Sequence, residues 1–178
     1  MTLSGIYPII QVDARYEEIS ALPLFTVNKV SIDNQGGHWK YVQASGDLNK
    51  NNAAAITADA MPLAIPLTIT ALTSAPFTTT CPISIGITQI GIPNLYYGWI
   101  WCGGPGVGGV GTGIKCRLGT DCAQYMPLYA HATAGKLDDA VVTNAQISGL
   151  FATETITTAQ DTELFACTIL TCKCQDPT

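Results

Sequence analysis

The chain has 178 residues, the length of one domain, with 47% hydrophobic residues and only 12% charged ones. That balance excludes intrinsic disorder, which needs little apolar content and high net charge, and excludes a long solvated helix or coiled coil, which is built from Glu, Lys and Arg. The net charge is −5 and the eight basic residues are scattered singly from Arg15 to Lys173, so neither a nucleic-acid groove nor a polybasic membrane surface is expected.

The remaining composition, rich in Thr, Ile, Ala and Gly, suits short β-strands punctuated by turns. The most apolar run, residues 60–72, is broken by Pro62 and Pro66 and is no spanning helix. Residues 1–11 lack the basic start and small-residue cleavage site of a signal peptide, so the expectation is a protein made and used without secretion.

Residues 1–23 read as an N-terminal arm, distinct from a β-domain over 24–178. In the arm Ile6, Tyr7, Ile9 and Ile10 are apolar. Asp13 is placed to cap one short helix over residues 14–20 with Tyr16 on its apolar face, and Pro23 ends it.

Residues 25–33 predict a strand with a bulge near Asn28–Lys29. The sequence Asn34-Gln-Gly-Gly37 predicts a turn, and residues 38–45 the returning strand with Trp39 and Tyr41 on one face. Residues 46–53 read as a polar loop. Ile65, Leu67, Ile69 and Ala71 alternate with polar residues and Pro66, as a half-buried strand with Pro66 at its edge start. Ile83, Ile85 and Ile87 alternate, and Ile90 and Ile92 continue on the opposite parity past a bulge.

Residues 95–102 are apolar on both faces, with Tyr97, Trp99 and Trp101 on one and Tyr96, Ile100 and Cys102 on the other. A strand buried twice is central in a sandwich or barrel. After a glycine-rich stretch, residues 103–113, further strands are predicted at 114–118, 125–131, 145–156 and 163–174, with a turn at Thr133-Ala-Gly-Lys136 and a polar stretch at 137–144. The sum is an all-β domain, an antiparallel β-sandwich or small β-barrel of about nine or ten short strands, with at most one short helix.

No catalytic, cofactor or metal set is expected. Gly106-Val-Gly-Gly-Val-Gly111 satisfies G-x-G-x-x-G, but an alternating strand follows it where a phosphate site needs a helix N-terminus. His38 and His131 adjoin no nucleophile motif, and a cysteine nucleophile paired with either has no sequence mark. The seven cysteines contain no C-x-x-C pair and read as small buried hydrophobes, with a metal or disulfide role open for Cys172 and Cys174. Asp138 and Asp139 read as solvated turn residues. Tyr97, Trp99 and Trp101 read as core, with an exposed sugar-stacking platform as the alternative.

The order of several pieces resembles the bacteriophage head decoration (cement) and minor capsid protein family. The pieces are Tyr97-Gly-Trp-Ile100, Pro127-Leu-Tyr129, Thr133-Ala-Gly-Lys-Leu-Asp138, Ile147-Ser-Gly-Leu150 and Trp39-Lys-Tyr-Val-Gln-Ala-Ser-Gly46. The resemblance covers roughly residues 25–172; the glycine-rich stretch and the cysteine count depart from it.

It implies a structural virion protein and no enzyme: a β-subunit, commonly a homotrimer, made in the host cytoplasm and seated on the outer surface of the capsid. There it would bridge major capsid protein subunits. The arm residues Ile6, Tyr7, Ile9, Ile10 and Tyr16 would then be the expected capsid or intersubunit contact. A phage fibre or carbohydrate-binding β-module using exposed aromatics is the alternative.

Overall fold

The computed structural model describes residues 19–27, 29–32, 36–57, 62–68, 83–103, 114–142 and 145–172. Eleven strands run through them: β1 (Val30–Ile32), β2 (His38–Ala44), β3 (Ala53–Ile56), β4 (Leu63–Pro66), β5 (Ile83–Ile87), β6 (Tyr97–Trp101), β7 (Lys115–Arg117), β8 (Pro127–Ala130), β9 (Leu137–Asp138), β10 (Gln146–Ala152) and β11 (Asp161–Cys172). The described residues contain no helix. The fold is all-β, as the composition requires.

Five strands close on themselves. β2 pairs with β4, β4 with β3, β3 with β5, β5 with β6, and β6 returns to β2. The β2–β6 ladder is the longest of these, antiparallel from Trp39↔Trp101 to Gln43↔Tyr97. The β5–β6 contact is a single pair, Ile87↔Trp101. Closure also needs β2 and β4 to run parallel, with Gln43↔Leu63 and Ala44↔Ala64. An antiparallel expectation therefore holds for every strand pairing but this one. From β5 the sheet continues outward through β11, β10, β8 and β9, with β7 on the other stretch of β11.

Side-chain alternation separates two cores. Val42, Ala44, Ala54, Ile56, Ala64, Ile100 and Cys102 point one way and fill the barrel with Leu48 and Ile92. Five strands enclose little space, so Ala44, Ala54 and Ala64 make room there for Leu48, Ile56, Ile92 and Ile100. Gly86 shows how tight it is: a Cβ there would lie 2.5 Å from Ile100 Cδ1. The opposite parity, Trp39, Tyr41, Ala53, Ala55, Ile85, Ile87, Trp99 and Trp101, faces outward from the barrel. It joins one large core with Leu118, Leu128, Leu137, Ile147 and Leu150 of the second layer.

Several expected elements shift. Among the described residues of 25–33, the strand is Val30–Ile32. Before it, Lys29 N–H donates to Thr26 O, and Phe25 packs on an aromatic face instead of entering a ladder. Strand β3 was hidden by its Ala-Ala-Ala-Ile sequence, which has neither alternation nor β-branched bulk before Ile56; all four residues are buried because both faces are covered. Pro66 ends β4 and does not start it. Ile92 makes an isolated bridge to Leu48 and does not extend β5. Leu137 and Asp138 form β9 inside the stretch that reads as polar.

The Thr133–Lys136 turn joins the layers. Gly135 N–H donates to Leu67 O at 2.8 Å, and Gly135 O accepts from Ala53 N–H at 2.9 Å. Gly135 has φ +76°, the left-handed region that glycine enters without steric cost. A second tie runs through Asp161. It accepts from Asn51 Nδ2 at 3.0 Å and pairs with Arg117 at 3.5 Å, while Arg117 N–H donates to Asn51 O.

Candidate interaction surface and the buried aromatic strand

The aromatic residues of β2 and β6 are neighbours across one ladder, because Tyr41↔Trp99 and Trp39↔Trp101 are register pairs. Tyr41 and Trp99 ring centroids are 5.2 Å apart, and Tyr41 stacks on Tyr97 at 6.1 Å. Phe25 meets Tyr41 edge-on at 5.2 Å and Trp99 at 5.3 Å. Trp99 is 2% exposed and Trp101 fully buried. Each buries on the order of 200 Å², about 5 kcal/mol of gross transfer free energy at ~25 cal/mol/Å².

Their indole Nε1 groups are buried without hydrogen-bond partners. These rings stabilise by packing. The alternative of an exposed sugar-stacking platform is overturned, since stacking needs a free ring face.

A strap covers this face. Ser20 N–H donates to Tyr97 O at 3.1 Å and Ser20 O accepts from Tyr97 N–H at 2.8 Å, an antiparallel bridge. Leu24 N–H donates to the Tyr41 hydroxyl at 3.1 Å. Residues 19–27 thus hold to the barrel by backbone bonds at Ser20 and by Phe25 below, while Leu22 (74% exposed) and Leu24 (57%) face out. The antiparallel direction at Ser20 sends the chain toward the turn bearing Leu95 (64% exposed) and Tyr96.

Leu95 reads as strand in the sequence. It instead takes φ +67° in a turn braced by Asn94, whose side chain accepts from Gly46 N–H and whose N–H donates to Asp47. That turn puts a leucine outside, and no periodicity argument signals it. Val30 and Ile32 on β1 are also exposed, as are Tyr125 and Met126 before β8.

The expected arm contacts Ile6, Tyr7, Ile9, Ile10 and Tyr16 lie outside the described residues, as do the predicted short helix up to residue 18, the stretch 104–113 and Cys174.

The chemistry-bearing side chains sit as follows. Cys102, Cys116 and Cys122 are buried and free. Burial pushes the Cys102 thiol up to about 12 and the Cys116 thiol higher still. Burial, with the nearby charges of Asp138 and Asp139, pushes Cys122 up to about 11. A nucleophilic cysteine needs the opposite, an electropositive and partly open setting.

Three loops converge beyond the ends of β7, β8 and β9. Asp138 and Asp139 meet Cys122 there, with one ligand atom of each within 4.8 Å of the others. His131 accepts from Thr133 N–H at Nδ1, and its Nε2 faces Asp138 Oδ2 at 4.0 Å. The two aspartates are half-buried loop anchors and not the solvated turn residues that the sequence suggests. Asp139 accepts from Ala123 N–H at 2.8 Å and Asp138 from Ala140 N–H at 2.9 Å. Sixteen or more positions separate Cys122 from the pair, so only the fold brings them together. Comparison with protein-family models finds no match, and comparison with characterised protein sequences finds none either.

Proposed function

We propose that this protein is a structural component of a phage head: a subunit, acting as a homotrimer, that decorates the outside of the capsid by bridging major capsid protein subunits. The observation that carries the reading is the exposure of the apolar side chains Leu22, Leu24, Leu95 and Tyr96, on a chain with 12% charged residues. A surface with few charges and exposed leucines favours burial against protein. Leu22 belongs to the arm, residues 1–23, expected to make the lattice or intersubunit contact.

The resemblance to head decoration proteins supports the same reading through its motifs. Tyr97-Gly-Trp-Ile100 is the buried β6, and Thr133-Ala-Gly-Lys136 is the turn that docks the second layer on the barrel. A subunit that binds only the assembled lattice stabilises it by mass action, and three linked copies add avidity.

The test is sedimentation of the purified chain with undecorated capsids, together with its solution mass by light scattering. The expected result is a trimer that co-sediments with capsids and raises their disruption temperature. The Leu22→Ser/Leu24→Ser double variant is expected to lose at least tenfold in capsid affinity or to dissociate to monomers. A monomer without capsid affinity refutes the reading, and so does a double variant that keeps both properties.

A further inference from the structure

We propose that Cys122, Asp138 and Asp139 form a binding site for a borderline-soft divalent cation of the zinc class, with one coordination position left open. This goes beyond the capsid reading and does not depend on it.

Three independent observations converge on it. First, the donor set is mixed, a thiol from the loop after β7 and two carboxylates at the end of β9, with ligand atoms already within 4.8 Å of one another. Ligand atoms around tetrahedral zinc stand about 3.5 Å apart, so rotating the carboxylates inward by roughly 1 Å completes the geometry.

Second, the Cys122 thiol is buried and donates to no carbonyl among the described hydrogen bonds. Cys102 donates its thiol hydrogen to Ile100 O at 3.7 Å and Cys116 to Arg117 O at 3.8 Å, whereas Cys122 makes no such bond and its sulfur faces the carboxylates. The backbone N–H of Asp139 lies toward that sulfur, which is how a protein supports a thiolate.

Third, neither carboxylate is balanced by Lys or Arg among the described ion pairs.

Each carboxylate keeps an oxygen for the cation. Asp138 Oδ1 is engaged by Ala140 N–H and Asp139 Oδ2 by Ala123 N–H, leaving Asp138 Oδ2 and Asp139 Oδ1. Gly119 leaves the room that Asp138 occupies, since a Cβ there would lie 3.0 Å from Asp138 Cγ and closer still to Oδ2.

His131 is not a ligand. Its Nδ1 accepts from Thr133 N–H, and its Nε2 stands 4.0 Å from Asp138 Oδ2, beyond hydrogen-bond distance. Calcium and magnesium prefer all-oxygen surroundings, and the thiol argues against both. On binding, the Cys122 S–H bond breaks, its proton passes to solvent, and the sulfur lone pair forms the bond to the cation.

The test uses the full chain, purified reduced and stripped with a chelator, titrated with Co²⁺ as a spectroscopic probe and then with Zn²⁺. The expected result is a thiolate-to-cobalt charge-transfer band saturating at one ion per chain. Zn²⁺ should displace it, with about one proton released per ion bound near neutral pH. The band should vanish in Cys122→Ala, a variant that keeps both aspartate anchors. Should Cys122→Ala fail to fold, Asp139→Asn serves instead, because its amide oxygen still accepts from Ala123 N–H; a loss of tenfold or more in cobalt affinity is expected. Absence of the band, its persistence in Cys122→Ala, or unchanged affinity in Asp139→Asn overturns the site, and equal binding of Ca²⁺ overturns the assignment of cation class.

Discussion

Replacing Gly135 with alanine tests how the two layers are locked together. The residue holds φ +76°, a conformation that costs a side-chain-bearing residue roughly 1–2 kcal/mol. The new Cβ would also lie 2.6 Å from Asn52 Cβ, with Asn52 Cγ and Nδ2 nearer still. Asn52 is held on the barrel between Thr88 and Ala53. Its N–H donates to the Thr88 hydroxyl at 3.1 Å, and its O accepts from Thr88 N–H at 3.0 Å. Overpacking of this kind costs roughly 1–3 kcal/mol. Together the terms give about 2–5 kcal/mol, more if the turn moves and releases its bonds to Leu67 O and Ala53 N–H.

Urea unfolding followed by tryptophan fluorescence reads this directly, since Trp39, Trp99 and Trp101 all lie in the core that the turn helps close. For a chain of this size the loss corresponds to a fall in Tm of about 4–20 °C. Gly91→Ala is the control. Its Cβ would meet only Leu48 O at 3.6 Å and Lys50 N at 3.9 Å, ordinary contacts, and a change under about 0.5 kcal/mol is expected. A Gly135→Ala protein within about 0.5 kcal/mol of the parent would refute the claim that this turn locks the layers.

Two further outcomes follow from the barrel interior. Gly86→Ala should cost about 1–3 kcal/mol, because the added methyl meets Ile100 Cδ1 at 2.5 Å and Ile56 Cδ1 at 3.3 Å; in combination with Ile100→Val the loss should shrink, and an additive double variant would show that the two do not share that space. The Cys102 thiol ionises near 9.0 when unfolded but only near 12 in the fold, because burial disfavours the thiolate. The folded state therefore binds more protons between those values, so this contribution to stability is intact below pH 9 and is lost as pH rises toward 12. The slope is up to about 1.4 kcal/mol per pH unit, and stability-versus-pH curves should be flatter in Cys102→Ala across that window. Identical slopes would refute it.

Much of the fold was legible because alternation is a local property. Trp39 and Tyr41 on one face, Tyr97, Trp99 and Trp101 on another, and Ile85 with Ile87 all followed from period two and lie where that period puts them. β3 was not legible, because Ala53, Ala54 and Ala55 carry no contrast between faces until both faces are known to be covered. Leu95 was misread as strand because its positive φ is imposed by Asn94, Asp47 and Gly46, which fold around it. The site at Cys122 left no motif, since its ligands come from loops that only the second layer brings together.

The low charge and β-branched composition by themselves pointed to an all-β chain, and the run 95–102, apolar on both faces, pointed to a core strand with an exposed platform as the alternative. These are statements about which faces must leave water, and each residue carries that information. Tertiary structure alone decided that the sheet closes into a five-stranded barrel through the parallel β2–β4 pair, that Gly135 bolts the second layer to it, and that Leu22, Leu24 and Leu95 remain outside. Closure depends on pairing between strands distant in sequence, and exposure depends on what is left uncovered once that pairing is complete.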